Sequence, residues 1–375
     1  MSSESLVDNR IPVNIITGFL GSGKTTLLNH WVNSPELKDT LVLINEFGDV
    51  GLDHELVESV DDTVVLLGSG CICCTLQGEL VDSLAQNLAK MHEQLIPAFN
   101  RVLIETTGLA DPSGVISTLS GDDFIYENYR YDGTVTVLDA VNLREQLKKQ
   151  YEAVKQIALA DLIIISKSDL VDADELQAVR EAAQKINNQA PIKIAVKGDI
   201  DAGVMAQLGP YRNLAHDYSG RIKSWFTLKN QGVASPLRPA KISDQVGVAK
   251  RRIIAHTDID SFALTQDEPI EPLALMYAIT AVQEQFGDSV LRIKGILNIA
   301  SQEDPVVVHV VMGNIYPLSL LKQWPEGKRS SKLVFICRAA VLDQVRELFY
   351  QAFHHPDEQQ MEFLRGMMAE VVDEP

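Results

Sequence analysis

A glycine-rich segment near the amino terminus has the composition and spacing of a phosphate-binding loop. It reads Gly-Phe-Leu-Gly-Ser-Gly-Lys-Thr-Thr from Gly18 to Thr26 and contains the pattern G-x-x-x-x-G-K-T. Glycines at this spacing let the backbone bend so that its N–H groups point at phosphate oxygens. Lys24 would then reach the β- and γ-phosphates of a nucleoside triphosphate, and Thr25 would ligate Mg²⁺, so both are assigned to catalysis. The predicted nucleotide-binding residues of this loop are Gly18, Gly21, Ser22, Gly23, Lys24, Thr25 and Thr26.

The elements predicted on either side of this loop supply the context that the motif requires. An apolar run, Val13–Thr17, precedes the loop, and a helical pattern over Lys24–Val32 follows it. A strand before and a helix after are what distinguish a phosphate loop from a chance glycine turn. The start of the helix would also direct the positive end of its dipole at the bound phosphates.

A second candidate group is the carboxylate that ends another apolar strand. The strand Arg101–Glu105 is followed by Thr-Thr-Gly-Leu-Ala-Asp-Pro, which ends at Pro112. A carboxylate at the carboxyl end of a strand beside a phosphate loop can position Mg²⁺ or its water. We therefore predict a catalytic, Mg²⁺-binding role for Glu105 and an approach of the Gly108 backbone to the γ-phosphate. The alternative is an exposed glutamate in front of a glycine–proline turn.

A cluster of cysteines forms the third candidate group. Cys71, Cys73 and Cys74 form a C-x-C-C pattern between a predicted strand and a predicted helix, whereas Cys337 stands alone. Thiolates are soft ligands that suit Zn²⁺, with Co²⁺ or Fe²⁺ as further candidates. Three sulfurs this close together do not easily occupy three tetrahedral positions, so a ligand from outside the cluster is expected. Inert or redox-active cysteines are the alternative.

A fourth candidate segment follows the apolar strand Leu162–Ser166 and reads Ser-Lys-Ser-Asp from Ser166 to Asp169. A carboxylate here can accept hydrogen bonds from the N1–H and N2–H₂ edge of guanine, which adenine does not offer. We predict that Asp169 reads the base, that the stem of Lys167 packs on it, and that Ser166 also contacts the nucleotide. An ordinary surface turn is the alternative for so short a segment.

Short strands and helices alternate along the part of the chain that would position these residues. Strands are predicted at Val13–Thr17, Thr40–Ile44, Thr63–Leu67, Arg101–Glu105, Thr134–Leu138, Leu162–Ser166 and Ile192–Val196. Helices are predicted at Lys24–Val32, Gln77–His92, Leu143–Leu159 and Asp174–Asn187. The strands are nearly continuous apolar runs, as expected of strands buried on both faces. This predicts a mostly parallel sheet flanked by helices, the P-loop NTPase form of the α/β class.

A smaller α/β unit is predicted beyond a connector that has Gly, Pro, Asn and Ser at many positions. Its strands are predicted at Arg252–His256, Leu291–Leu297, Val306–Val311 and Leu333–Ile336, and its helices at Pro272–Phe286 and Val341–Phe353. The chain is accordingly divided into a P-loop domain at 1–200, a connector at 201–248, a second domain at 249–356 and an acidic tail at 357–375.

Charge and hydropathy exclude several classes of partner. The formal net charge of −18 repels phosphate backbones and anionic membrane surfaces, so nucleic acid is not an expected partner. The amino terminus is polar and lacks the features of a signal peptide. Since no apolar run approaches the roughly 20 residues of a membrane span, we expect a cytoplasmic protein without a membrane partner. In a reducing compartment, clustered cysteines favour metal binding over a disulfide.

Taken in this order and spacing, the four segments resemble the CobW family of P-loop GTPases, relatives of the hydrogenase and urease nickel-insertion GTPases. Asn45–Asp49 resembles the first switch loop of that family, and Glu105–Pro112 resembles its Walker B segment. The second half of the chain resembles the CobW C-terminal domain through Arg292–Gly295, Trp324 and Lys332–Ile336. The resemblance covers most of the chain and is carried above all by the phosphate loop together with C-x-C-C.

Two positions depart from the family pattern. The guanine motif usually begins with Asn, whereas here it begins with Ser166, which cannot make the same bonds. Some members carry a metal-binding Glu just before the first switch loop, where this chain has Ile44. Asp49 remains the candidate oxygen ligand for the metal, and the loss of the Glu weakens the expected carboxylate contribution.

The resemblance implies a GTPase of the metallochaperone kind. GTP or GDP and Mg²⁺ would bind the first domain, the γ-phosphate would order the loops around Glu46 and the cysteines, and hydrolysis would release zinc to a metal-dependent client protein. Two alternatives stay open: an ATP-dependent enzyme with a structural cysteine cluster, and a nucleotide-bound zinc sensor or buffer without turnover. The sequence leaves the physiological metal, the client and homo-oligomerisation open.

Overall fold

The structure, a computed structural model, describes part of the 375-residue chain. The described residues are 10–32, 34–44, 64–66, 76–208, 259–300, 302–315, 319–321, 324, 329–357 and 361–362. Asp49 and the three clustered cysteines, like the predicted strand at Arg252–His256, lie outside them. The chain divides into two compact units, Met1–Arg212 and Asn213–Pro375. The finer boundaries at 200, 248 and 356 stay predictions.

The described residues of the first unit form a seven-stranded sheet whose strands all run parallel. The strands are β1 Ile11–Thr17, β2 Thr40–Ile44, β3 Val64–Leu66, β4 Arg101–Glu105, β5 Tyr129–Asp139, β6 Leu162–Ser166 and β7 Ile192–Ile194. Their order across the sheet is β3-β2-β4-β1-β5-β6-β7. The phosphate loop follows β1, and β1 lies between β4 and β5 near the middle of the sheet. The carboxyl ends of neighbouring parallel strands therefore meet around that loop.

The helices of the first unit flank this sheet. They are α1 Lys24–Val32, α2 Leu76–His92, α3 Ser113–Gly121, α4 Asp123–Asn128, α5 Leu143–Lys149, α6 Tyr151–Ala158 and α7 Ala173–Ile186. Every residue of β2, β4 and β6 is buried, as expected of strands covered on both faces. On one face Trp31 of α1 packs among Ile16, Leu103 and Val137, and its indole nitrogen donates to the carbonyl of Ile200 at 2.9 Å. The predicted α/β fold of this unit is confirmed.

The described part of the second unit forms an antiparallel sheet that packs two helices, Pro272–Phe286 and Leu342–His354, on one face. Its elements are β8 Ile259–Gln266, α8 Pro272–Phe286, β9 Val290–Leu297, β10 Val306–Val311, β11 Asn314–Ile315, β12 Ser319–Leu320, β13 Ser331–Arg338 and α9 Leu342–His354. The sheet order is β11-β10-β9-β13-β8, with β12 paired to β10. Phe335 stacks on Phe262 at a ring distance of 4.7 Å and meets the edge of Phe349 of α9 at 5.0 Å. A smaller unit of helices and strands is thus confirmed.

Several elements differ from the sequence prediction, and packing explains the clearest case. The helix predicted over Leu143–Leu159 is broken at Gln150, whose backbone is extended at φ −127 and ψ 111. In one continuous helix the buried stripe through Leu147 and Val154 would also include polar Gln150. Helices α3 and α4 and strand β8 were not predicted.

Candidate functional site

The phosphate loop has the backbone shape that its glycines were expected to permit. Gly18, Gly21 and Gly23 have φ values of 147, 70 and 93. A Cβ on Gly18 would stand 2.2 Å from the carbonyl oxygen of Val137, so glycine is required there for packing as well as for conformation. The Lys24 ammonium donates to the carbonyls of Gly18 at 3.0 Å and Phe19 at 3.4 Å, so it lies within the curve of the loop.

The acidic strand end lies directly beside the start of α1. Glu105 pairs with Ile16 in the parallel ladder between β4 and β1, and it is 3% exposed. The hydroxyl of Thr25 donates to Oε1 of Glu105 at 3.0 Å. A hydroxyl and a carboxylate held together beside a phosphate loop form the set of hard oxygen ligands that suits Mg²⁺. The two residues that the sequence assigned to Mg²⁺, 80 positions apart, are therefore neighbours.

The segment after Glu105 packs tightly against the phosphate loop. A Cβ on Gly108 would stand 2.5 Å from the backbone nitrogen of Leu20. Gln156, buried on α6, holds this segment from the other side, because its amide nitrogen donates to the carbonyls of Gly108 at 3.3 Å and Ala110 at 3.0 Å. The sequence predicted the approach of Gly108 to a nucleotide phosphate but gave no indication of Gln156.

The segment predicted to read the base is joined to the phosphate loop by a side chain. The hydroxyl of Ser166 donates to the carbonyl of Ser22 at 2.6 Å and lies 3.1 Å from that of Leu138. Ser166 is 8% exposed, and Asp169 is exposed in a 3₁₀ turn three residues further on. Serine at the first position of this motif thus fixes the distance between the segment and the phosphate loop.

Lys167 has a partner that the sequence analysis did not identify. Its ammonium lies 2.9 Å from Oδ2 of Asp139, the last residue of β5. Burial alone would raise the pKa of Asp139, but hydrogen bonds from Lys167, Asn142 and the backbone of Val141 hold that pKa below its usual range. Asp139 is therefore a carboxylate at neutral pH. Its position at the carboxyl end of a strand, as for Glu105, is the signal by which it could have been found.

The structure brings together the described residues from three distant segments of the chain. The phosphate loop contacts the Glu105 segment through Thr25 and the Ser166 segment through Ser22. Thr26 is exposed on the first turn of α1, with its backbone carbonyl against Gly198.

Within the described ranges no group of three or more His, Cys, Asp or Glu side chains is placed to hold a metal ion. In the same ranges, no helix combines the length and the apolar character of a transmembrane segment.

The fold and this site define a P-loop nucleotide-binding protein: a parallel α/β sheet with its phosphate loop after the first strand and an acidic residue at the end of the neighbouring strand. Comparison with known families assigns the chain further. Residues 12–193 match the model of the CobW/HypB/UreG nucleotide-binding domain, and residues 259–353 match that of the cobalamin synthesis protein cobW C-terminal domain. The chain belongs to the CobW/HypB/UreG family.

Similarity to known proteins extends over nearly the whole chain for one relative and over about half of it for another. The zinc chaperone YjiA of Escherichia coli K12 is 30% identical over 341 residues, which cover 91% of this chain and 98% of the relative. The crystal structure of Zn(II)-bound YjiA GTPase from E. coli covers the same shares, with a TM-score of 0.62 and 26% identity. The zinc-regulated GTPase metalloprotein activator 1 of Schizosaccharomyces pombe is 36% identical over 198 residues, 51% of this chain and 47% of the relative.

Proposed function

We propose that this protein is a GTP-hydrolysing metallochaperone that carries zinc and delivers it to a metal-dependent client protein. The proposal is carried by one observation: the phosphate loop, the Thr25–Glu105 pair and the Ser166–Asp169 segment converge at the carboxyl ends of the parallel strands. Membership of a family whose relatives are named zinc chaperones and zinc-regulated GTPases supports the choice of nucleotide and metal.

The triphosphate would occupy the concave side of the loop that now receives the Lys24 ammonium. Phosphate oxygens would replace the carbonyls of Gly18 and Phe19 as partners of that ammonium, a stronger charge-assisted interaction. Thr25 and Glu105 would hold Mg²⁺, which would neutralise charge that develops on the phosphates. Since catalysis of phosphoryl transfer is mainly positioning and electrostatic stabilisation, we expect these fixed groups to support hydrolysis at a slow intrinsic rate.

The base would lie against the segment that Ser166 joins to the phosphate loop. The Ser166–Ser22 hydrogen bond fixes the spacing between the phosphates and the residues that follow Ser166. Asp169 is exposed three residues after Ser166 and would accept hydrogen bonds from the two donors of the guanine edge, while the Lys167 stem packs on the ring. An adenine base would leave that carboxylate without donors, which is the physical basis for preferring GTP.

The metal is cargo, and we assign it to residues outside the described ranges. Cys71, Cys73 and Cys74, with Asp49 as an oxygen ligand, would bind Zn²⁺, with Co²⁺ or Fe²⁺ as alternatives. Asp49 belongs to the switch-like segment, and the cysteines lie in sequence between that segment and the strand that ends at Glu105, so the γ-phosphate would alter their arrangement. Linkage requires the effect to be reciprocal: a nucleotide that tightens zinc binding is itself bound more tightly when zinc is present.

Base selectivity is tested by competition for a fluorescent GDP analogue. GTP should displace the analogue far better than ATP. Asp169→Asn should weaken guanine nucleotides selectively and admit xanthine nucleotides, whose acceptor at C2 matches an amide donor. Asp174→Asn, which removes the same charge from an exposed position on α7, is the control and should match the wild type. Equal competition by ATP would instead favour an ATP-dependent enzyme.

The chaperone cycle is tested by zinc titrations against a competing chelator, with GDP and with a non-hydrolysable GTP analogue. Coupling between sites typically reaches about 1–3 kcal/mol, so zinc affinity should differ roughly 5- to 150-fold between the two states. Cys73→Ser and Cys74→Ser should remove most of that difference but leave metal-free GTP binding nearly unchanged. Identical zinc affinities would refute the chaperone cycle, and a lack of multiple-turnover phosphate release would leave a sensor or buffer.

A further inference from the structure

The carboxylate of Asp139 lies at the base-reading segment but has no role in the proposed function as stated above. Asp139 ends β5 and is paired in register with Ser166, which ends β6. The backbone nitrogen of Ala140 donates to the carbonyl of Ser166 at 3.1 Å, so the two strand ends stay together beyond the ladder. The segments that follow β5 and β6 therefore start side by side and are joined by this hydrogen bond.

Three donors converge on this carboxylate. The backbone nitrogen of Val141 donates to Oδ1 at 2.9 Å, the Asn142 amide donates to Oδ2 at 2.8 Å, and the Lys167 ammonium lies 2.9 Å from the same oxygen. The Asp139 side chain is 2% exposed, whereas that of Lys167 is 36% exposed. A buried carboxylate with two fixed hydrogen bonds cannot follow a moving partner, so it defines where the ammonium rests.

Lys167 is consequently held at both ends of its side chain. Its backbone is left-handed, with φ 54 and ψ 28, a conformation uncommon for a residue with a Cβ. Its ammonium is held by Asp139. A lysine otherwise loses considerable rotamer freedom when it is ordered against a ligand. Because this lysine is ordered beforehand, less of that entropy is lost when a base packs on the stem.

We infer that Asp139 is a positioning residue for nucleotide binding, which acts by holding the Lys167 side chain in place for the purine base. This inference rests on the proposed function, since it takes the Ser166–Asp169 segment as the base site. Asp139 itself does not contact the nucleotide. Its effect on affinity passes through Lys167, and this sets it apart from a residue that only stabilises the turn after β5.

A double-mutant cycle tests this route, with affinity for a fluorescent GDP analogue as the readout. Asp139→Asn should weaken binding about 5- to 10-fold, the size expected for a charge-assisted hydrogen bond that is partly open to solvent. Lys167→Met keeps an unbranched stem but removes the ammonium and should weaken binding by a similar factor. The double variant should bind as the Lys167→Met variant does, because the carboxylate then has no ammonium to hold.

The controls separate this inference from the proposed function. Asp174→Asn should leave GDP affinity unchanged, and the thermal unfolding midpoint identifies any variant that has lost its fold. Losses that multiply in the double variant would show that Asp139 acts independently of Lys167 and would overturn the inference. A wild-type affinity in Asp139→Asn would overturn it as well, while the wild-type protein still prefers guanine nucleotides. A wild-type protein without that preference would refute the proposed function instead.

Discussion

Replacing Gly108 with alanine tests how closely the segment after Glu105 must approach the phosphate loop. The new Cβ would lie 2.5 Å from the backbone nitrogen of Leu20, 2.6 Å from its Cα and 2.7 Å from its Cδ2. Two of these three atoms belong to the backbone, so a rotamer change of Leu20 cannot relieve the contact. Gly108 does not have the positive φ that disfavours alanine, so the cost of the substitution in the folded protein is steric rather than conformational.

The size of the effect follows from the distance that must be gained. Ordinary contact begins near 3.4 Å, so the two segments must separate by about 0.9 Å from the present 2.5 Å. Overpacking of this kind costs about 1–3 kcal/mol. The same shift would strain the 3.3 Å hydrogen bond from Gln156 to the Gly108 carbonyl. If the whole cost acts on the step in which the γ-phosphate is transferred, GTP hydrolysis should fall roughly 5- to 150-fold.

Three measurements on two variants distinguish the outcomes. Phosphate release gives kcat, displacement of a fluorescent analogue gives GDP affinity, and thermal unfolding reports stability. Gly114→Ala is the matched control, because a Cβ at this exposed position on α3 meets nothing within 4 Å, and it should keep the wild-type kcat. Gly108→Ala should lose hydrolysis while GDP affinity changes little. Wild-type kcat and stability in Gly108→Ala would refute the close approach, and an equal loss of GDP binding would place the damage in the phosphate loop as a whole.

The remaining predictions each concern one buried side chain. Ser166→Ala, which removes the 2.6 Å hydrogen bond to Ser22, should weaken GDP and GTP equally by about 3- to 10-fold in a competition assay, and unchanged affinities would contradict a joining role for this hydroxyl. Gln156→Leu leaves the carbonyl of Gly108 without its buried donor and should lower the free energy of unfolding by about 1–3 kcal/mol, measured by urea titration; no loss would mean that this contact is dispensable. Burial raises the pKa of the Cys337 thiol to about 12, so at pH 8 this residue should resist iodoacetamide in the folded protein and react only after unfolding. Alkylation of Cys337 in the folded protein, detected by mass spectrometry, would contradict its burial.

Much of the first unit could be predicted from local pattern. Three strands, Thr40–Ile44, Arg101–Glu105 and Leu162–Ser166, and the helix Lys24–Val32 have the predicted bounds. Their apolar runs are bounded by polar or glycine residues, and that signal survives because strands covered on both faces must be apolar throughout. Helix α3, with its serines and glycines, has no such signal, because it depends on packing against its neighbours rather than on propensity.

Part of the arrangement of the candidate site was also predicted, whereas the chemical roles assigned to its residues stay predictions. The pairing of Thr25 with Glu105 follows from a rule about strand ends, since parallel neighbours present their carboxyl ends at one edge of the sheet. The same rule would have drawn attention to Asp139, which was overlooked because no motif surrounds it. The roles assigned to Asp49 and to the cysteine cluster fall on residues outside the described ranges and stay predictions.

By itself the sequence determined the phosphate loop, because the strand, the glycine-rich loop and the helix that define it are continuous from Val13 to Val32 and the loop depends on backbone conformations that glycine alone adopts easily. The carboxylate at the end of β4 and the order of the segments along the chain could also be predicted from the sequence alone. Only the tertiary structure decided which segments touch. Ser166 donates a hydrogen bond to the carbonyl of Ser22, 144 positions away in sequence, and Lys167 donates one to Asp139 rather than to a residue nearby in sequence. Each parallel crossover can place the next strand beside any free edge, and that choice depends on how helices cover the sheet rather than on any local pattern.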